Sequence, residues 1–316
     1  MITSKRSLPV WVALLGSGLA GGMVAVQSRI NGGLSQRLGD GYVTALVSFG
    51  VGLVILGIVL LLSPRGRRGF GLVRAEISGG RLPVWALIGG VCGAFFVVSQ
   101  GLVATVLGLA LFTVGVVAGQ VLGGLVMDRL GVGPGGRVDP SPQRVVGMLL
   151  VIAAVVLSVL AQPSDSGSAR VWLVLVPVAV GIATSFQFAV NGLLRAAAKS
   201  AITATFISFF AGTLVLVIAA AVSVAVQGWP TAWPSEPWYY VGGALGTIFI
   251  ALSAMLVRTA GVLLLSMSNV AGQLLASVAL EAGVPLAGGV TGGLLAGASV
   301  ALVAVFVAAI PSRKTD

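Results

Sequence analysis

Apolar stretches of about 20 residues follow one another through this sequence, each closed by proline, glycine or arginine. An α-helix rises about 1.5 Å per residue, so a stretch of that length crosses the ~30 Å hydrocarbon core of a bilayer. Ten such stretches are legible, at residues 9–30, 41–62, 82–103, 105–127, 144–161, 171–190, 201–227, 237–257, 259–280 and 285–310. Pro64 with Arg65, Arg67 and Arg68 ends the second, and a Gly/Pro-rich loop from Gly131 to Pro142 follows the fourth. The breaks near Ala104 and Arg258 are short, but each joined stretch is too long for a single crossing. Only 8% of residues are charged, against roughly a quarter in a soluble domain, and glycine supplies 46 of 316. That composition excludes a soluble enzyme, a disordered chain and a secreted disulfide scaffold. It predicts an all-α integral membrane protein.

The first stretch follows Lys5 and Arg6 as a signal peptide would, but it is too long and lacks a clean small-residue cleavage site. It reads as a retained helix. With the N-terminus inside, 15 Lys and Arg residues fall on cytoplasmic segments and 3 (Arg29, Arg37, Arg170) outside. The positive-inside rule then predicts a multi-pass protein of a bacterial-type plasma membrane with both termini cytoplasmic. The net charge of +10 thus reports orientation, and no nucleic-acid partner is expected. Cys92 is the sole cysteine and histidine is absent. No intramolecular disulfide can form, and no metal or other cofactor is expected.

The chain also repeats itself. At an offset of 160, Gln27 falls on Gln187, Asn31 on Asn191, Leu34 on Leu194, Ser48 on Ser208, Phe49 on Phe209 and Gly52 on Gly212. After the longer loop at 63–81 the offset becomes 153. Gly89, Gly90 and Gly93 then match Gly242, Gly243 and Gly246, VAGQVL at 117–122 matches VAGQLL at 270–275, and Asp128 matches Glu281. Chance explains shared glycine and leucine in apolar helices, but it explains shared Gln, Asn and acids poorly. The expected units are residues 1–163 and 164–316, five helices each. Five is odd, so the second unit is expected upside down relative to the first, an architecture of transporters.

The doubled motifs are Q-x-x-x-N-x-x-L, S-F-x-x-G and G-Q-x-x-x-x-x-x-x-[DE]. With them the chain resembles the drug/metabolite transporter (DMT) superfamily, most closely its YdcZ-like branch. The resemblance implies ten transmembrane helices as two inverted five-helix repeats. The first four of each half line a central cavity, and the fifth packs at the periphery. It implies transport or export of a small molecule without naming it. One departure is that Glu281 lacks the basic neighbour that Arg129 gives Asp128.

A polar side chain within the bilayer is costly unless paired or wet, so each is a functional candidate. Gln27 and Asn31 share a helix face, as do Gln187 and Asn191. Helical rise places Gln27 and Ser48 near the outer ends of their helices, Gln273 about two-thirds of the way out, and Gln187, Ser208 and Gln120 near the inner face. These are expected to form two related clusters, one toward each mouth of a substrate cavity. The alternative is interhelical hydrogen-bonding worth roughly 0.6 kcal/mol each. Asn269 faces Val116 in the repeat and breaks the symmetry. Asp128 and Glu281 lie at helix C-termini, where a negative charge opposes the macrodipole. They read either as proton-coupling carboxylates or as solvated helix ends. Arg29 attracts anions or snorkels to the interface.

Enzyme readings lack their residues. There is no H-E-x-x-H, no histidine base for a serine protease, no paired Asp-rich motif, and no phosphate loop for ATP. The reading is a secondary transporter working by alternating access, with the bilayer and a small-molecule substrate as partners. It admits a proton or other coupling ion, and a homodimer. The alternative is a non-transporting membrane scaffold or assembly protein.

Overall fold

The computed structural model describes residues 9–133, 136–137, 139, 141–160, 172–249, 252, 262–286 and 289–309. Every regular element among them is helical: α1 (Val10–Leu38), α2 (Gly41–Leu62), α3 (Pro64–Ser78), a 3₁₀ turn (Val84–Ile88) leading into α4 (Gly89–Leu102), α5 (Ala104–Leu107), α6 (Leu109–Leu130), α7 (Pro142–Leu160), α8 (Leu175–Ala198), α9 (Ala201–Gln227), a second 3₁₀ turn (Pro237–Tyr240), α10 (residues 242–249), α11 (Val262–Gly283) and α12 (Gly292–Ala309). Six stretches among the described residues are long and apolar enough to cross a membrane: Gly41–Leu62, Val84–Leu107, Leu109–Leu130, Pro142–Leu160, Leu175–Ala198 and Ala201–Gln227. Large apolar side chains such as Ile58 and Leu62 on α2 and Ile218 and Val226 on α9 are exposed. A surface that apolar fits hydrocarbon rather than water.

The caps that set these boundaries are readable. Asp40 begins α2, its Oδ1 accepting the Tyr42 and Val43 amides at 2.7 and 3.0 Å, and Ser200 begins α9 by accepting the Thr203 amide. Ser63 caps α3, with Pro64 in its first turn. The helix is interrupted at Val103, beside the expected break at Ala104, and the chain then leaves α5 through Gly108, whose φ of 82° and ψ of 152° suit only glycine. α1 runs eight residues beyond the expected 30, because Leu34 and Leu38 are buried among Val43 and Ala220 and hold its last two turns. α12 starts later than expected, after a turn that tucks Leu286 beneath Gly32. The loop at 63–81 contains α3, whose Gly66, Gly69 and Val73 lie inward, and Thr203 of α9 donates to the Gly66 carbonyl at 2.7 Å. Of the expected eighth span, residues 250–251 and 253–257 lie outside the described residues.

The bundle has an Asp40 end, where α1 gives way to α2, and an α3 end opposite it. Helices pair across the chain, α1 with α11, α6 with α8, α2 with α9 and α7 with α12. Glycine brings the first two pairs into backbone contact. A methyl added to Gly21 would overlap the Asn269 carbonyl, and one added to Gly272 the Gly18 carbonyl. Gly181 and Gly119 meet the Val116 and Val178 carbonyls in the same way. Where α2 meets α9, Phe49 and Phe209 stack with centroids 4.9 Å apart, each ring filling the space left by the other helix's glycine, Gly212 or Gly52.

Candidate functional site

At the Asp40 end, α1 and α4 carry a chain of side-chain hydrogen bonds. Ser28 Oγ donates to the Val24 carbonyl at 2.9 Å and accepts Gln100 Nε2 at 2.7 Å. Gln100 Oε1 in turn accepts Asn31 Nδ2 at 2.7 Å. Asn31 Oδ1 and Ser48 Oγ are buried without a hydrogen-bond partner among the described residues. Both lie against Gly242 of α10, Ser48 Oγ standing 3.3 Å from where a Cβ would sit. Gln27 packs its amide on the next turn, Nε2 being 3.0 Å from the same position at Gly246. α10 can approach because it offers glycine there; Gly243 faces the Ser48 carbonyl directly.

The α3 end holds a matching arrangement. Gln187 Nε2 lies 2.7 Å from the position of a Cβ on Gly93 of α4, Gly90 faces the Ser208 carbonyl, and Asn191 Oδ1 lies 3.7 Å from that of Gly89. Here the serine–asparagine pair is bonded, Ser208 Oγ donating to Asn191 Oδ1 at 2.6 Å. The structure gathers Gln27, Asn31 and Ser48 at one end and Gln187, Asn191 and Ser208 at the other. It does not bring in Gln120 and Gln273. Their backbone amides lie 2.7 and 2.9 Å from Cβ positions on Gly181 and Gly21, so both sit beside the helix crossings. Among the described residues neither side chain hydrogen-bonds to a cluster, and Ser185 donates only to the Gln120 carbonyl. Asn269 likewise presents its carbonyl to Gly21.

The two ends differ in exposure. Gln27, Asn31 and Ser48 are buried, Asn31 to 1%, whereas Gln187 and Asn191 are half-buried. The acids differ in the same direction. Asp128 has a 44% exposed side chain and pairs with Arg144 at 2.6 Å, rather than with the adjacent Arg129. Glu281 is 1% exposed, and its Oε2 accepts the Leu109 amide of α6 at 2.7 Å. It is no solvated helix end. Arg29 donates Nε to the Val284 carbonyl at 2.8 Å.

Sequence reasoning missed Gln100 and Ser28. Both are polar residues in apolar stretches, but neither has a like partner at the repeat offset, where Ser253 and Phe188 stand. Their signal was burial cost, which applies with or without a repeat. Of groups of three or more His, Cys, Asp or Glu able to hold a metal, there is none among the described residues.

The model of a family described as "Putative inner membrane exporter, YdcZ" matches residues 12–157 and 172–307. No curated protein matches the chain significantly. An exporter is not an enzyme class, and the two matched segments contain both polar clusters and both helix-end acids. The chain belongs to the YdcZ family of the DMT superfamily of membrane proteins.

Proposed function

We propose that this protein exports a small metabolite or drug-like molecule by alternating access, without ATP, through ten helices arranged as two inverted halves, residues 1–163 and 164–316. Both termini face the cytoplasm in this reading, so the Asp40 end is the outer one. The observation that carries it is a set of equivalent contacts with unequal burial. Gln27 against Gly246 repeats Gln187 against Gly93, and Ser48 against Gly243 repeats Ser208 against Gly90. Yet Gln27 and Asn31 are buried while their counterparts Gln187 and Asn191 are half-buried, Ser48 and Ser208 being buried alike. Two equivalent sites in different states are what one conformation of an alternating pair presents; the other conformation exchanges their roles. The conformation is inward-facing in this reading.

Among the described residues both clusters consist of amides, hydroxyls and glycine, with no acid or base in either. They suit a substrate recognised by hydrogen bonds rather than by charge. Asn31 Oδ1 and Ser48 Oγ are the acceptor and hydroxyl available to it at the outer end. Asp128 and Glu281 are the carboxylates available for proton coupling. The test is uptake into inside-out vesicles against a panel of neutral metabolites and drugs, with and without a pH gradient. Substrate-dependent accumulation above that of empty-vector vesicles supports export; its absence across the panel, together with unchanged accessibility of both ends to a membrane-impermeant thiol reagent, overturns alternating access.

A further inference from the structure

We propose that Glu281 is a positioning residue for transport, a latch that holds the Asp40 end closed, and that Asp128 is its counterpart at the α3 end. The proposal deepens the alternating-access reading and rests on it. Glu281 ends α11, where the dipole of its own helix disfavours a carboxylate. It is nevertheless fully buried. Part of what offsets that cost is another helix, beside the Leu286 amide 3.5 Å from Oε2. The first turn of α6 has amides without intrahelical acceptors, and the Leu109 amide donates to Glu281 Oε2 at 2.7 Å. Gly108, in a backbone conformation that a side chain would strain, aims that amide.

The position of this bond gives it its role. α11 is held to α1 by backbone contact at Gly21 and Gly272, and α6 to α8 by backbone contact at Gly119 and Gly181. Glu281 joins one pair to the other. The segment after it is fastened to α1 as well, through Arg29 to the Val284 carbonyl and Gln36 to the Leu286 carbonyl at 3.3 Å. Leu286 is packed in one cluster with Leu107 and Leu109. The Asp40 end cannot part between the pairs while the Glu281–Leu109 bond is made.

At the offset of 153, Glu281 corresponds to Asp128 and Leu109 to Val262, the first residue of α11. Asp128 is held by Arg144 of α7 instead and is part-exposed. One acid bridges the pairs and the other stands aside, as the unequal burial of the clusters requires. On opening to the outside, Glu281 releases Leu109 and Asp128 leaves Arg144 for the Val262 amide.

Spin-label distances in bilayer nanodiscs test this in a Cys92→Ala background. Val106→Cys with Val284→Cys reports the Asp40 end, and Trp11→Cys with Leu130→Cys the α3 end; all four positions are exposed. Losing this buried hydrogen bond predicts a rise of about tenfold in the fraction with a long Val106–Val284 distance for Glu281→Ala, and a smaller rise for Glu281→Gln, which keeps an acceptor. The Trp11–Leu130 distance shortens in the same samples. A monodisperse Glu281→Ala protein with an unchanged Val106–Val284 distribution overturns the latch and leaves alternating access standing. If Glu281→Ala does not fold, an unchanged distribution in Glu281→Gln overturns it equally. Opening at Val106–Val284 with no change at Trp11–Leu130 supports the latch and overturns alternation of the two ends.

Discussion

Asn31 and Gln100 are bonded amide to amide, Nδ2 to Oε1 at 2.7 Å, so that one side chain from α4 spans Asn31 and Ser28 one turn apart on α1. Gln100 has zero exposure. Gln100→Leu keeps the volume but strands the Asn31 amide, while the Ser28 hydroxyl keeps its bond to the Val24 carbonyl. The expected loss is about 1–2 kcal/mol, read as a lower SDS-unfolding midpoint in bilayer-mimetic micelles. An unchanged midpoint would show that the amides re-pair within α1.

Ser48 and Ser208 occupy matching positions with opposite bonding. Ser208→Ala removes the donor to Asn191 and is expected to lower stability by roughly 0.6 kcal/mol. Ser48→Ala removes a buried hydroxyl without a partner among the described residues and is expected to leave stability unchanged or raised. Paired unfolding curves decide between equal and unequal effects. Transport should fall in the Ser48 variant despite its intact stability, because its hydroxyl is free to meet substrate.

Glycines at helix crossings and glycines facing open space separate cleanly. A Cβ at Gly90 would overlap the Ser208 carbonyl and one at Gly243 the Ser48 carbonyl, whereas one at Gly50 meets nothing within 4 Å. Alanine at Gly90 or Gly243 should cost about 1–3 kcal/mol or more, seen as loss of monodisperse protein on fluorescence-detected gel filtration. Gly50→Ala should be tolerated and gain about 0.5–1 kcal/mol from helix propensity.

Beyond the bundle, Arg81 bonds Glu76 at 2.7 Å and holds its carboxyl below the usual carboxylate range. A depressed folded value means the contribution is present above the unfolded pKa of about 4.3 and is lost as pH falls through the folded value. The pair is exposed, so the effect is small. Melting temperatures of wild type and Glu76→Gln should differ at neutral pH and converge below pH about 4.

How much of this was legible depended on what each residue's neighbours are. Gly41–Leu62 and Ala201–Gln227 were readable to the residue, since Asp40 and Ser200 are helix caps and Pro64 and Gly228 are breakers in the chain itself. Gln27, Asn31 and Ser48 recur in the sequence as Gln187, Asn191 and Ser208, but the same repeat also drew in Gln120 and Gln273, which sit at helix crossings instead. The end of α1 was not. Its polar and charged residues resemble a loop, and only burial of Leu34 and Leu38 by other helices keeps them helical. Gln100 was hidden because the repeat served as a filter and its counterpart is Ser253. Glu281 was hidden for a different reason. A carboxylate at a helix C-terminus is ordinarily hydrated, and among what covers this one is the start of α6, some 172 positions away in sequence.

The Phe49–Phe209 stack is reciprocal: each ring sits where the opposite helix supplies a glycine. Contacts of that form are those two identical chains make across a dyad. A gene cut at the linker between α7 and α8 should therefore yield two polypeptides that find each other in the membrane, and a substitution enlarging one ring's seat should be rescued only by trimming the ring it displaces.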